Sequence, residues 1–391
     1  MNLHQFIKKK ELVDLTIQLV QTPTENPPGN EKGAAQFLKS ILPKMGFKVK
    51  ILLSPKRRWN IVAEKRWGKG GRTLIFNGHL DVVPAGDPSQ WKYPPFQGKL
   101  CKGRIYGRGA SDMKSGIASF IHALSMIDRS EISLHQGAVI LHLVSDEESH
   151  GHQGMDFLTQ KGGIQGDAAL VGEPTDLHPV IAHKGALWLR ISTFGKSAHS
   201  AKPHLGVNAI EKMIKLMDRL NSLTLGGEHP LLGKPTLSIG TIQGGTKINV
   251  VPDRCEIEVD RRMLPGEKKK EVLGEMKEIL DSLQSQDSLF QYRMEEIDYA
   301  EPSEVDPEEE IVRVGVEAIQ EVLGKKPPLR AFSGFTDSRF YINQCHIPTL
   351  VFGPGDTNQI HTTDESVEVE ALVHAAHIYG LILINYLSKQ R

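Results

Sequence analysis

The sequence predicts an α/β protein, a mostly parallel sheet flanked by helices, with a second, α+β domain inserted into it. Three observations carry this: short apolar runs without polar alternation, helical patterns that alternate with those runs, and a change of element order in the middle of the chain.

The runs are Thr73 to Phe76, Ala138 to Val144, Ala168 to Val171 and Thr349 to Phe352, each of a length that suits a strand buried on both faces. After the first run, Met113, Ile117, Phe120, Ile121, Leu124 and Ile127 recur at helical spacing just beyond Gly107-Arg108-Gly109-Ala110-Ser111-Asp112, so a helix is expected there.

In the middle, Leu187, Leu189 and Ile191 alternate as in a strand, and Val207, Ile210, Ile214, Met217 and Leu220 line a helix. Strands are expected near Thr236 to Ile242 and Asn249 to Arg262, the second turning Cys255, Ile257 and Val259 inward. A helix through Val272, Met276, Ile279 and Leu283 and a strand near Phe290 to Ile297 complete the order β-α-β-β-α-β. That order is the ferredoxin-like split βαβ arrangement. It divides the chain into 1–184, the first part of the sheet domain, 185–299, the insert, and 300–391, the second part. Hinges are expected at the crossings, near Lys184 to Gly185 and Tyr299 to Pro302.

A chain of 391 residues has room for roughly two or three domains. Its 47 basic residues cancel its 47 acidic ones, so no net field draws it to nucleic acid or membrane, and neither is an expected partner. Met1 to Val20 mixes charges with apolar residues and lacks the apolar stretch of a signal peptide, which makes the cytoplasm the expected address. Cys101, Cys255 and Cys345 are far apart and form no Cys-x-x-Cys pair, against a disulfide framework or a thiolate zinc site. Any metal must then be held by His and carboxylates.

Such groups follow each apolar run. His79 and Asp81 come after the first, Asp146, Glu147 and Glu148 after the second, Glu173 after the third and His361 after the fourth, and Asp112 stands at the start of its helix. Ligands of open α/β sheets bind outside the carboxyl ends of the strands, so these residues can meet although they are distant in sequence. Singly each has a plain structural reading: Asp112 as a helix cap, His79 as a satisfied interior histidine, Glu147 and Glu148 as a solvated pair. Together they form the N/O donor set of zinc, cobalt or manganese, in which an Asp using both oxygens can bridge two ions. Adjacent Glu147 and Glu148 suit a division of labour, one ligating and one taking a proton from the attacking water. Asp81 is placed to accept the other N–H of His79.

The sequence resembles the acetylornithine deacetylase and succinyl-diaminopimelate desuccinylase family, whose relatives include aminoacylases, dipeptidases and glutamate carboxypeptidases. The likeness rests on Gly78-His79-Leu80-Asp81-Val82-Val83-Pro84, Tyr106 to Lys114, Asp146-Glu147-Glu148, Gly172-Glu173-Pro174-Thr175 and His361, and covers nearly the whole chain. It implies a zinc-exopeptidase-like catalytic domain and two divalent ions, zinc with cobalt or manganese as alternatives. His79, Asp112 and Glu173 would hold one ion, and Asp112, Glu148 and His361 the other. Glu147 would be the general base, Asp81 would orient His79, and a water between the ions would attack the carbonyl carbon.

The insert resembles the family's lid and dimerisation domain. Gly195-Lys196-Ser197-Ala198-His199-Ser200 matches a motif whose histidine reaches the partner subunit's active site and steadies the oxyanion, which implies a homodimer through the insert. Asn249 and Arg262 fall in a segment resembling the substrate-binding strand. Arg262 could clamp a carboxylate or form an ordinary surface ion pair. Ser333-Gly334-Phe335-Thr336-Asp337-Ser338-Arg339 places Gly334 and Arg339 among the substrate-binding candidates, but desuccinylases resemble Gly-Gly-Thr-Ser-Asp-Gly-Arg there, so Phe335 argues against a succinyl specificity.

The function expected is cleavage of the amide bond of a small N-acyl amino acid. A metallo-exopeptidase or dipeptidase is the close alternative. A metal-dependent binding protein without catalysis is the remote one, opposed by Glu147, since a mere binder has no use for a base beside its ligands.

Overall fold

The computed structural model describes residues 3–389 apart from 131 and 133. The chain forms two compact units: Met1–Ile181, Glu304–Ala331 and Thr336–Arg391 make the first, and Ala182–Ser303 with Phe332–Phe335 the second. The excursion of Phe332–Phe335 into the second unit has no mark in the sequence.

The first unit is built on a sheet with a parallel centre and antiparallel edges. Its strands run β1 (Lys48–Leu53), β2 (Trp59–Trp67), β6 (Gly137–Val144), β3 (Thr73–His79), β7 (Ala168–Val171) and β15 (Thr349–Val351), then β8 (Val180–His183) with β13 (Ser303–Glu304) and β14 (Arg330–Phe332) at the far edge. β3 pairs in parallel with β6 and β7, and β15 with β7. These central strands are the four apolar runs, buried almost throughout. The antiparallel pair β1–β2 mixes apolar with charged residues, with only Asn60, Ile61 and Ala63 buried, and was not evident as buried runs. A separate small sheet joins β4 (Lys99–Cys101), β5 (Arg104–Tyr106) and β16 (Ser366–Glu368).

Helices α1 (Lys9–Val20), α2 (Lys32–Ile41), α3 (Lys114–Arg129), α4 (Met155–Gln160), α7 (Glu310–Leu323) and α8 (Val369–Leu387) cover this unit. α8 is long and apolar enough to cross a membrane by composition, yet it packs on α3 and α7 with Leu372, Ala376, Tyr379 and Leu383 fully buried, as a core helix does. Phe76, Phe120 and Phe352 close around Tyr379, which binds β3, α3, the residue after β15 and α8 into one core.

The second unit has the order β9 (Gly185–Phe194), α5 (Ala209–Asn221), β10 (Thr236–Gly244), β11 (Arg254–Met263), α6 (Lys269–Gln286) and β12 (Gln291–Ala300), with antiparallel strands arranged β10-β11-β9-β12. Its own core joins Leu187, Leu189 and Ile191 to Ile257, Val259, Met213 and Met276. Asn249 to Asp253, expected as the start of β11, are instead a turn and loop: Pro252 lacks an N–H for a ladder, and the strand begins at Arg254.

Candidate metal centre

The carboxyl ends of the parallel strands hold a convergent set of side chains. His79 ends β3, Glu147 and Glu148 lie in a 3-10 turn after β6, Glu173 follows β7, Asp112 precedes α3, and His361 sits in the loop between β15 and β16. His79 Nε2 lies 2.9 Å from Asp112 Oδ1 and 3.8 Å from Glu173 Oε2. His361 Nε2 lies 2.9 Å from Glu148 Oε2 and 3.7 Å from Asp112 Oδ2. Ligand atoms of His79, Asp112 and Glu173 fall within 4.8 Å of one another, as do those of Asp112, Glu148 and His361. Asp112 belongs to both groups and turns a different oxygen to each histidine.

The electrostatics fit cations at these two points. His79 is raised well above the usual imidazole value: burial opposes its charge, but the Glu173 and Asp112 carboxylates outweigh burial. Glu147 and Glu173 are pushed well above the carboxylate range, chiefly by burial and then by neighbouring acids, and Glu148 is raised by burial and by Asp112. Glu173 Oε1 is buried with no hydrogen-bond partner. Buried acids crowded in this way hold protons that divalent ions would displace, and an oxygen with no donor is available to a metal. The donor set of imidazole and carboxylate suits zinc, cobalt or manganese.

A surrounding frame fixes these groups. His79 Nδ1 bonds the backbone carbonyl of Asp81 at 2.9 Å, while the Asp81 carboxylate stands at 3.8 Å. The expected carboxylate–imidazole bond is thus replaced by a carbonyl, because the Asp81 side chain is taken up elsewhere. It accepts the N–H of Glu147 and of Glu148, each at 3.3 Å, and the Asn26 amide at 2.9 Å. Glycines let the strand-end loops approach closely: a Cβ on Gly116 of α3 would stand 2.1 Å from the carbonyl of Gly172, and one on Gly353 would stand 2.4 Å from that of Glu173. Asp337, buried and hydrogen-bonded to Asn77 at 3.2 Å, is raised to about 6 by burial.

The other predicted residues bond partners outside this group. In the second unit His199 is exposed, and its Nδ1 accepts the N–H of Ala201 at 3.0 Å. Asn249 is exposed in a turn, its carbonyl taking the N–H of Ser200. Arg262 donates from Nε and Nη2 to Asp260 at 3.1 and 2.9 Å, the ion pair of the plain structural reading. Gly334 is half-buried beside the ring of Phe332. In the first unit Arg339 is buried and donates to the carbonyl of His150 at 2.6 Å, which ties it to the loop after Glu148. Sequence reading missed Asn26, Arg58 and Glu365, buried polar residues that hold the ligand-bearing loops. The only local hint is Glu365 four positions after His361.

The fold and this site define a metal-dependent enzyme that hydrolyses amide bonds. Comparison with known proteins gives the same answer. Residues 75–385 match Peptidase family M20/M25/M40, and the chain belongs to that family. It is 32% identical to a succinyl-diaminopimelate desuccinylase of Cereibacter sphaeroides, over 96% of this chain and 98% of that one. It is 31% identical to an acetylornithine deacetylase of Photorhabdus laumondii, over 93% and 94%. Among solved structures it is similar to an M20 family metallo-carboxypeptidase from Sulfolobus solfataricus, with a TM-score of 0.82 at 20% identity, covering 97% of this chain and 100% of that one. A tripeptidase from Staphylococcus aureus aligns with a TM-score of 0.81 at 22% identity, over 98% and 100%.

Proposed function

We propose that the chain is an N-acyl amino acid deacylase that works with two divalent ions, zinc with cobalt or manganese able to replace it. The observation that carries this is the sharing of Asp112 between the groups His79–Glu173 and Glu148–His361, with Glu147 buried beside them. His79, Asp112 and Glu173 hold one ion in this reading, and Asp112, Glu148 and His361 the other. When bound, the ions polarise the acyl carbonyl and make the attacking water more acidic. Glu147 takes the proton of that water and passes it to the leaving nitrogen. The Asp81 carbonyl keeps the His79 tautomer, so that Nε2 faces Asp112 with its lone pair. The deacylase is favoured over a dipeptidase by Gly172 to Leu177 and Ala182 to Gly185, which resemble the deacetylase and desuccinylase branch, and by the two curated relatives described above.

His199 is assigned the oxyanion contact of a partner subunit. Its Nδ1 accepts a backbone N–H, so in the neutral ring Nε2 carries the proton and is a donor. The edge strand β10 is largely exposed and offers a ladder to a second copy, which suits a homodimer through the insert. Asn249, Arg262, Gly334 and Arg339 are the substrate-binding candidates. Free Cys101, Cys255 and Cys345 suit a reducing compartment, in keeping with the cytoplasm.

The test is hydrolysis of acetylornithine, succinyl-diaminopimelate, other N-acetyl amino acids and dipeptides, measured side by side on zinc-loaded and chelator-treated protein. Acyl amino acids are expected to lead, with chelation abolishing turnover. A preference for dipeptides above roughly tenfold in kcat/KM would overturn the deacylase reading.

A further inference from the structure

The loop that carries Asp112 and the loop that carries His361 are joined through one buried carboxylate. Glu365 is fully buried, and its Oε1 accepts the N–H of Ser111 at 2.8 Å and of Asp112 at 3.0 Å. Its Oε2 accepts the N–H of Gly109 at 3.1 Å and Nη1 of Arg108 at 2.7 Å. The joint continues on both sides. The Gly107 N–H donates to the carbonyl of Glu365 at 2.9 Å, Arg108 Nη1 also reaches the carbonyl of Thr362 at 3.1 Å, and Ser111 Oγ reaches that of Asp356 at 3.0 Å. Beyond it, Ser366 and Glu368 pair with Tyr106 and Arg104 in β16 and β5.

Three N–H groups of one turn converge on a single side chain, an anion-binding turn occupied by the protein's own carboxylate. Among the described residues, Glu365 is the side chain that bonds the backbone N–H of Asp112, and it stands four positions after His361 in the same segment. His79 and Glu173, by contrast, stand on or next to β3 and β7, and their positions follow from the sheet.

We propose that Glu365 is a positioning residue that sets the spacing of Asp112 and His361, and through it the binding of the ion held by Asp112, Glu148 and His361. The ion held by His79, Asp112 and Glu173 depends on it less, because two of its three ligands are placed by strands. This rests on the two-ion reading above.

The experiment is a titration of chelator-treated protein with Co(II), followed by absorption spectra and calorimetry, on the parent chain, Glu365→Gln, Glu365→Asp and His361→Ala. His361→Ala identifies which of the two binding steps belongs to the second group. In Glu365→Gln an amide NH2 faces N–H donors, and that same step is expected to weaken about 10–100-fold while the other changes less than about threefold. Glu365→Asp keeps the charge, reaches fewer donors and is expected to fall between, which preserves the test should the glutamine variant not fold. Equal weakening of both steps, or two unchanged steps, would overturn the proposal. A parent chain that takes up fewer than two ions would instead overturn the two-ion reading, and the role of Glu365 with it.

Discussion

Asp81 accepts the backbone N–H of Glu147 through Oδ1 at 3.3 Å, whereas His79 is held by the carbonyl of Asp81 and not by its side chain. One residue therefore serves both ends of the site with different atoms. Asp81→Asn should leave the His79 tautomer intact but set an NH2 group against Glu147 N–H, or against Glu148 N–H and the Asn26 amide. A fall in kcat of about 10–100-fold is expected, with the number of ions bound per chain unchanged. Unaltered kcat would show that the Glu147 turn stands without this carboxylate.

Glu147 is buried beside the two groups but belongs to neither. Glu147→Gln keeps its volume and removes its ability to take a proton. Metal content by elemental analysis should match the parent, and turnover should fall about 10²–10⁴-fold. Hydrolysis at the parent rate would place the base elsewhere.

Removing metal should make stability fall as pH rises. In the metal-free protein Glu147, Glu148 and Glu173 are raised above their ordinary value of 4.5, and His79 above 6.5. A group raised in the folded state binds more protons there than in the unfolded state, so its stabilisation is complete below the unfolded pKa and lost as pH climbs toward the folded one. The window therefore opens at about pH 4.5 and extends upward. Asp112 is lowered and acts with opposite sign, but only below 3.8. His122 and His142, depressed to about 4 by burial, also act oppositely, losing stability as pH falls from 6.5, yet they are common to both forms and cancel in the difference. The gap in Tm between zinc-loaded and metal-free protein should thus widen from pH 5 to 7.5. A constant gap would mean that the ions do not displace these protons.

The sequence displayed the central strands because they are buried on both faces, which leaves no room for polar alternation: Ala168–Val171 coincides with β7, and β3 and β6 are each within three residues of the expected runs. The convergence of His79, Asp112, Glu148, Glu173 and His361 was legible for the same reason, since strand ends mark where side chains meet. The frame was not. Lys56, Arg57 and Arg58 are three successive basic residues, and only Arg58 turns inward; nothing local distinguishes it, because its partners Glu31 and Asp146 lie 27 and 88 positions away. Asp260 and Arg262 were equally opaque, two positions apart on one strand face, where a pair can bind each other or a substrate.

Arg58 offers the sharpest test of that hidden frame. It donates from Nε to both oxygens of Glu31 at 3.0 Å and from Nη1 to Asp146 at 2.8 Å, and all three are buried. Asp146 in turn accepts the Gln153 N–H at 3.0 Å and, with a backbone φ of 70°, opens the turn that bears Glu147 and Glu148. Arg58→Met strands the Glu31 carboxylate without its cation, and a loss of about 3–5 kcal/mol in urea melts is expected, the usual effect of breaking a buried pair from one side. Arg58→Met with Glu31→Leu removes both charges and should regain most of that stability. Activity should not return with it, since the Asp146 contact remains broken and the Glu147 turn loses its anchor. A double variant as unstable as the single one would mean that Arg58 acts through its packing; a double variant with full kcat would mean that the turn bearing Glu147 is set by Asp81 alone.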